Sequence, residues 1–188
     1  HESHRQHKLI FYPNGELYKD WNRNPDGKIN ADSYTVLAVF AELAKELTAT
    51  VDAAVFGSFG AWLTVPQVLT HTPSDLDLFV RNDIQIIRRA ICILQNHGFS
   101  MYSWQDPIDE NVSWEMLKGR YYVRGVRDGI HVDLSYELDG TDYESLRPHM
   151  IQINGIRTYT KEGLMQLISV GDRPDLRERL ERMHTITQ

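Results

Sequence analysis

Cysteine is nearly absent from this chain: Cys92 is the only one among 188 residues. No disulfide can form within it, which excludes a disulfide-stapled scaffold and fits a reducing compartment such as the cytoplasm. Cys92 lies in an apolar helical run, Ile91 to Leu94, and is expected to be a buried structural thiol rather than a nucleophile. No apolar run approaches the roughly 20 residues a membrane-spanning helix needs. No stretch reads as a secretory signal peptide, and there is no internal repeat or low-complexity tract. Positive charge is not in excess: 20 Lys and Arg stand against 26 Asp and Glu, a net charge of -6. That balance argues against broad, nonspecific nucleic-acid binding and leaves room for a local basic groove. The chain opens on His1 rather than methionine, as expected of a processed chain or a domain cut from a longer one. What is present is ordinary for a soluble globular protein: 41% hydrophobic and 24% charged residues. The length suits one domain, or one domain with a small appendage.

Periodicity divides the chain into elements. His1, His4 and His7 have metal-ligand types but read as a disordered tail. Lys8 to Tyr12 and Glu16 to Trp21 flank Pro13-Asn14-Gly15, a hairpin or terminal arm, and Asn22 to Asn30 is a polar loop. Asp32 or Ser33 caps a helix from Tyr34 to Leu47, with Val36, Leu37, Val39, Phe40, Leu43, Ala44 and Leu47 as its apolar stripe. Asn82 or Asp83 caps another, Ile84 to Asn96, closed by His97-Gly98; its Arg88 and Arg89 read as a solvated face. Phe99 to Trp104 is expected to be a strand, Asp106 to Val112 an acidic turn region and Ser113 to Leu117 a short helix. Arg120 to Val126 and Ile130 to Glu137 form a hairpin around Arg127-Asp128-Gly129. Leu138 to Pro148 reads as a linker, and Met150 to Ile153 with Ile156 to Tyr159 as a further hairpin. Thr160 then caps a helix from Lys161 to Val170, and Pro174 starts an arginine-rich one to about Met183.

The informative stretch lies between Val55 and Val80. A short apolar run, Ala53 to Phe56, ends in Gly57-Ser58, and Ala61 to Leu63 begin a helix-like segment unbroken until Pro66. After the Thr70–Pro73 loop, Asp75-Leu76-Asp77-Leu78-Phe79-Val80 alternates as a strand does. Asp75 and Asp77 then share one face, with Leu76 and Leu78 on the core side. Two like charges side by side on a strand repel unless a cation lies between them, and a divalent ion shared with substrate phosphates is the usual resolution. A Gly-Ser turn at a helix start offers backbone N–H groups to an anion. Singly, each has a plain reading: a turn, a solvated strand face. In this order they read as a nucleotide–metal site.

The order of these residues resembles the nucleotidyltransferase superfamily typified by DNA polymerase beta. Its signature is a strand ending in Gly-Ser or Gly-Gly, a helix, a strand with Asp-x-Asp and a third carboxylate on a later strand. Gly57, Ser58, Asp75 and Asp77 match, and Asp133 in His-Val-Asp-Leu-Ser-Tyr stands where the third acid would. Ser74 extends the match to the Ser-Asp-x-Asp form of small bacterial members. The separation of Ser58 from Asp75 resembles that in AbiEii-like toxins. The likeness covers roughly 51–136.

That resemblance implies an α+β fold: a mixed β-sheet flanked by helices, with a C-terminal helical segment. It divides the chain into an arm at 1–30, a core at 31–146 and a C-terminal hairpin and helical part at 147–188. It implies two Mg2+ ions, or Mn2+ in their place, held by Asp75, Asp77 and Asp133, with a nucleoside triphosphate such as ATP as co-substrate. Gly57 and Ser58 would grip its terminal phosphates, and Asp133 would help activate an acceptor hydroxyl as pyrophosphate leaves. The acceptor would be tRNA or another RNA in a toxin or defence role, with a cognate antitoxin as partner, or else a protein or a small molecule such as an antibiotic. AbiEii-like relatives are expected to use a lysine in the C-terminal helix on the phosphates. Leu164 to Ser169 has none, which leaves Lys161, Arg157 or Arg173 as substitutes. Arg173, Arg177, Arg179 and Arg182 offer an RNA surface or pair with the acids between them. His131 shares a face with Asp133 and reads as partly exposed. Two competing classes are a catalytically silent nucleotide-binding or protein-interaction module and a metal-dependent nuclease.

Overall fold

The apolar stripe at helical spacing does become one buried helix face. A computed structural model describes residues 33–138, 140–168 and 173–186; the expected arm at 1–30 and the His1, His4 and His7 group lie outside these. Helix α1 (Ser33–Thr50) buries Phe40, Leu43, Ala44 and Leu47. After it come β1 (Ala53–Phe56), α2 (Gly57–Thr64), a 3-10 turn (Pro66–Val68), β2 (Asp75–Val80) and α3 (Ile84–Asn96). Asp83 caps α3, its Oδ1 accepting from Gln85 N at 2.8 Å. Then follow β3 (Ser100–Ser103), β4 (Asp106–Ile108), α4 (Trp114–Leu117), β5 (Tyr122–Arg127) and β6 (Ile130–Ser135). A second 3-10 turn (Glu144–His149), β7 (Met150–Ile153), β8 (Ile156–Tyr159), α5 (Lys161–Gln166) and α6 (Pro174–Thr185) complete the order.

Six strands form one sheet in the order β1-β2-β6-β5-β3-β4. Only β2 and β6 run parallel, so the sheet is mixed and the fold is α+β. Alternation along β2 separates two cores. Leu76, Leu78 and Val80 join Val55, Val123, Val132 and Leu134 beneath α1 and α3. Phe79 points the other way, into a smaller core with Ala54, Tyr143, Tyr159, Leu164 and Met183. Asp75 and Asp77 are on that second face, at the end of β2 where the small core stops. Among the described residues no helix is long and apolar enough to cross a membrane.

The β7–β8 hairpin guards the open edge of β1 with side chains. Thr158 Oγ1 donates to Val55 O at 2.8 Å, and Arg157 Nη1 donates to Ala53 O at 3.2 Å. These bonds occupy an edge that would otherwise template aggregation. Thr158→Val keeps the shape and loses the hydroxyl, and is expected to cost about 1 kcal/mol, read as a lower urea midpoint with unchanged slope.

Several boundaries differ from the periodicity, each for a local reason. Helix α2 begins at Gly57, not Ala61, because Gly57 takes the left-handed conformation (φ 66) that turns the chain directly out of β1. β4 lies inside the acidic stretch, with Pro107 tolerated because this is the sheet's edge. β5 starts at Tyr122 rather than Arg120, since Tyr121 has φ 73 and cannot extend the strand. The helix expected over Lys161 to Val170 ends at Gln166. Cys92 is partly exposed rather than buried. Hydrogen bonding with Glu110, and then burial, hold its thiol above the ordinary range, which disfavours a thiolate.

Candidate active site

Sheet register determines what Asp75 and Asp77 can meet. In the β1–β2 pair Phe56 stands opposite Asp77, so Gly57, the next residue, turns over that carboxylate. The approach is close enough that a Cβ on Gly57 would lie 2.6 Å from Asp77 Oδ2. Only glycine satisfies both that contact and φ 66. Ser58 follows in the first turn of α2 and is partly buried. In the parallel β2–β6 pair Asp77 aligns with Asp133 and Asp75 with His131. Aligned residues on neighbouring strands share a face about 4.8 Å apart. Gly57, Asp75, Asp77 and Asp133 are thus brought together. His131 joins them, fully buried rather than partly exposed, with Nδ1 3.7 Å from Asp75 Oδ1.

The sequence reading missed Arg124. It stands opposite Asp133 in the β5–β6 hairpin. Arg124 Nε donates to Asp133 Oδ1 at 2.7 Å and Nη2 to Oδ2 at 2.9 Å, a two-pronged pairing of charged groups. The Asp133 bond is the largest influence holding the guanidinium above its ordinary pKa. The signal was available by counting: a turn at Asp128-Gly129 pairs Arg127 with Ile130, and three steps back pairs Arg124 with Asp133.

None of the three substitutes for the expected lysine faces the acids. Lys161 Nζ donates to Ile186 O at 2.7 Å, Arg157 serves the β1 edge, and the exposed Arg173 donates to Asp175 at 2.9 Å. Arg179 on α6 is instead the cation within electrostatic range of Asp77. Burial is the largest influence lowering its pKa, while Asp175 and Asp77 favour its charge. Its Nε is buried and has no hydrogen-bond partner among the described residues. Helix α6 is held in place by Met183, which is buried in the smaller core, and by Arg182 Nε donating to Val68 O at 2.7 Å. Arg179 lies one turn before Met183, so helical spacing aims both at the sheet. His71, beside this group, has its pKa lowered first by burial and then by Arg179.

With this geometry in view, the chain can be set beside known proteins. No family model matches the sequence, and no curated protein matches it. Among solved structures it is similar to the Megavirus polyadenylate synthase, with a TM-score of 0.52 and 12% identity over 82% of this chain. The two share a fold. The match spans 32% of the synthase, about a third of its length. At that identity the likeness establishes architecture, and the chemistry rests on this chain's own residues.

Those residues fit a divalent ion in part. Mg2+ is commonly held by one or two carboxylates, with phosphate and water oxygens completing its shell, and Asp75 with Asp77 meets that description. Asp133 meets it less well, because Arg124 holds both of its oxygens. Among the described residues no three His, Cys, Asp or Glu side chains group closely enough to share one ion.

Proposed function

We propose that the chain is a metal-dependent nucleotidyltransferase that moves a nucleoside monophosphate from a triphosphate to an acceptor hydroxyl. The observation that carries this is the closure of the Gly57 turn on Asp77, in register with Asp133. It sets backbone donors for an anion against carboxylates for a cation, which a metal–triphosphate pair satisfies together. A fold shared with a polyadenylate synthase supports the same class. The favoured acceptor is tRNA or another RNA, in a toxin or defence role resembling that of AbiEii-like proteins and restrained by a cognate antitoxin.

In this reading Asp75 and Asp77 hold Mg2+ or Mn2+. The Gly57 N–H and Ser58 bind the terminal phosphates, and Arg179 adds positive charge beside them. Bound metal neutralises the phosphates and lowers the pKa of the acceptor hydroxyl. Asp133 would take the proton from that hydroxyl once its pairing with Arg124 yields. The acceptor oxygen bonds to the α-phosphorus as the bond to pyrophosphate breaks, and positioning with charge neutralisation supplies most of the acceleration.

The test follows both halves of the triphosphate. The expected result is α-phosphate on the acceptor and free pyrophosphate in equal amounts. Cleaved nucleic acid with the triphosphate intact would replace this reading with the nuclease one. The Arg124–Asp133 pairing favours one further reading, a silent nucleotide-binding module, which would bind the triphosphate and transfer nothing. Arg179→Ala is expected to raise the KM for the triphosphate about tenfold or more with a smaller change in kcat, as loss of a phosphate contact does. An unchanged KM in steady-state kinetics would remove Arg179 from the phosphate site.

A further inference from the structure

Two aromatic side chains are exposed in backbone conformations that aromatics avoid. Trp104 and Tyr121 are 53% and 51% exposed, the large exposed hydrophobics among the described residues. Both have left-handed backbones, with φ 54 and 73. The other non-glycine residues of that kind, Asp128 and Asn154, each precede a glycine in a hairpin turn, where asparagine and aspartate are usual. A bulky residue held this way is an outlier, and such strain persists only where the surroundings fix it, most often at binding sites. We propose that Trp104 and Tyr121 form a stacking platform for a single-stranded RNA acceptor whose end reaches the carboxylate face. The inference rests on the nucleotidyltransferase reading and gives its acceptor a place to bind.

Arg120 holds the platform together. Trp104 opens the short turn between β3 and β4, and its Nε1 donates to Arg120 O at 2.9 Å, which fixes it beside Tyr121. The Arg120 guanidinium lies 5.2 Å from the indole centre, and its Nη1 donates to Asp106 Oδ2 at 2.6 Å. Tyr121 is clamped at both backbone groups: its N–H donates to Glu137 Oε1 at 3.3 Å, and its carbonyl accepts from Tyr136 N at 2.9 Å. It borders a hollow with Phe79 and Tyr143, residues of the face that carries the acids. From there the sheet leads to the site. Tyr122 and Arg124 share the face of Asp133, with the Arg124 guanidinium 5.9 Å from the Tyr122 ring, and Tyr102 on β3 pairs with Arg124. Tyr102 and Tyr122 are partly exposed and belong to neither hydrophobic core. Rings interleaved with guanidinium groups suit stacked bases and the phosphates that join them. A protein partner would need only the aromatics. The row ends at Asp133, where the reading requires an acceptor hydroxyl, and this favours the nucleic acid. Arg120 and Arg124 each face a carboxylate, Asp106 and Asp133, so the row adds no net positive charge and stacking must supply most of the affinity.

The experiment measures fluorescence anisotropy of a labelled oligoadenylate on the full chain, beside the same strand in a duplex. The single strand is expected to bind and the duplex not to. Binding should weaken with salt at a logarithmic slope of about −0.7 to −1.4, one or two phosphates, whereas a site on the arginines of α6 would give a steeper one. Trp104→Ala and Tyr121→Ala should each weaken binding about tenfold or more, the loss of one stacked base. Tyr121→Phe keeps a ring and should bind as wild type does. Tyr121→Gly separates binding from folding: glycine takes φ 73 freely, so this variant should melt above Tyr121→Ala and still bind as weakly. Binding that recovers together with stability would make the role of Tyr121 structural and overturn the proposal. RNA binding that ignores both aromatics, or no binding of the single strand, would also overturn it and leave the pair to a protein partner. The functional reading fails separately. Asp77→Asn should bind the strand no more weakly than wild type, and binding through the aromatics with no transfer by wild type would uphold the platform and contradict the transferase reading.

Discussion

Asp77→Asn is expected to reduce nucleotidyl transfer by about 10³-fold or more while leaving the fold intact. Asp77 connects three parts of the site. It lies against Gly57 at the start of α2, aligns with Asp133 on β6, and lies within the electrostatic reach of Arg179 on α6. Asparagine keeps its shape and loses its charge, so an ion held mainly by Asp75 and Asp77 loses half its protein carboxylates. Stability should not suffer. Asparagine is nearly the same shape, and a partly exposed polar replacement is usually worth within about 0.5 kcal/mol. Transfer rates measured beside near-ultraviolet circular dichroism and a melting curve check both halves. Normal activity would remove Asp77 from the site, and a collapsed fold would make its role structural.

Gly57→Ala should have the second largest effect, from two costs that a control can separate. The left-handed backbone alone penalises a side chain by roughly 1–2 kcal/mol. The added Cβ would also lie 2.6 Å from Asp77 Oδ2, so the carboxylate, the turn or both must move. A displacement of that kind at the reacting centre costs about 10²-fold in rate. Gly119 provides the comparison: its φ is 77, yet nothing lies within 4 Å of where its Cβ would be. Gly119→Ala should lose a similar amount of stability with activity unchanged, whereas Gly57→Ala should lose both. Equal activity in the two variants would show that the approach of Gly57 to Asp77 has no part in the chemistry.

Much of this arrangement was legible because it is local. The alternation of Asp75 to Val80 is enough to place the acids on one face and the leucines on the other, and burial agrees. The helical stripe from Phe40 to Leu47 and the Asp83 cap needed only neighbouring residues. The alignment of Asp77 with Asp133 was anticipated as adjacency, but its register comes from a parallel pairing whose connection passes through α3, β3, β4, α4 and β5. Arg124 was within reach of hairpin counting, and was passed over because attention went to acids and glycines. Arg179 was legible only as one of four arginines offered for an RNA surface, not as the one nearest the acids. One polar, arginine-rich helix offers several equivalent cations, and only the docking of Met183 and Arg182 selects which one faces the sheet. The early start of α2 was hidden because glycine counts as a helix breaker by propensity, whereas here its positive φ is what makes the turn.

The most direct test offers the four α-labelled triphosphates separately, with Mg2+, to total RNA, total protein and a small-molecule pool, using wild type and Asp77→Asn side by side. The account predicts label entering one pool, RNA, with wild type and not with the variant. Equal labelling by both proteins would contradict it, as would triphosphate binding without transfer to any pool.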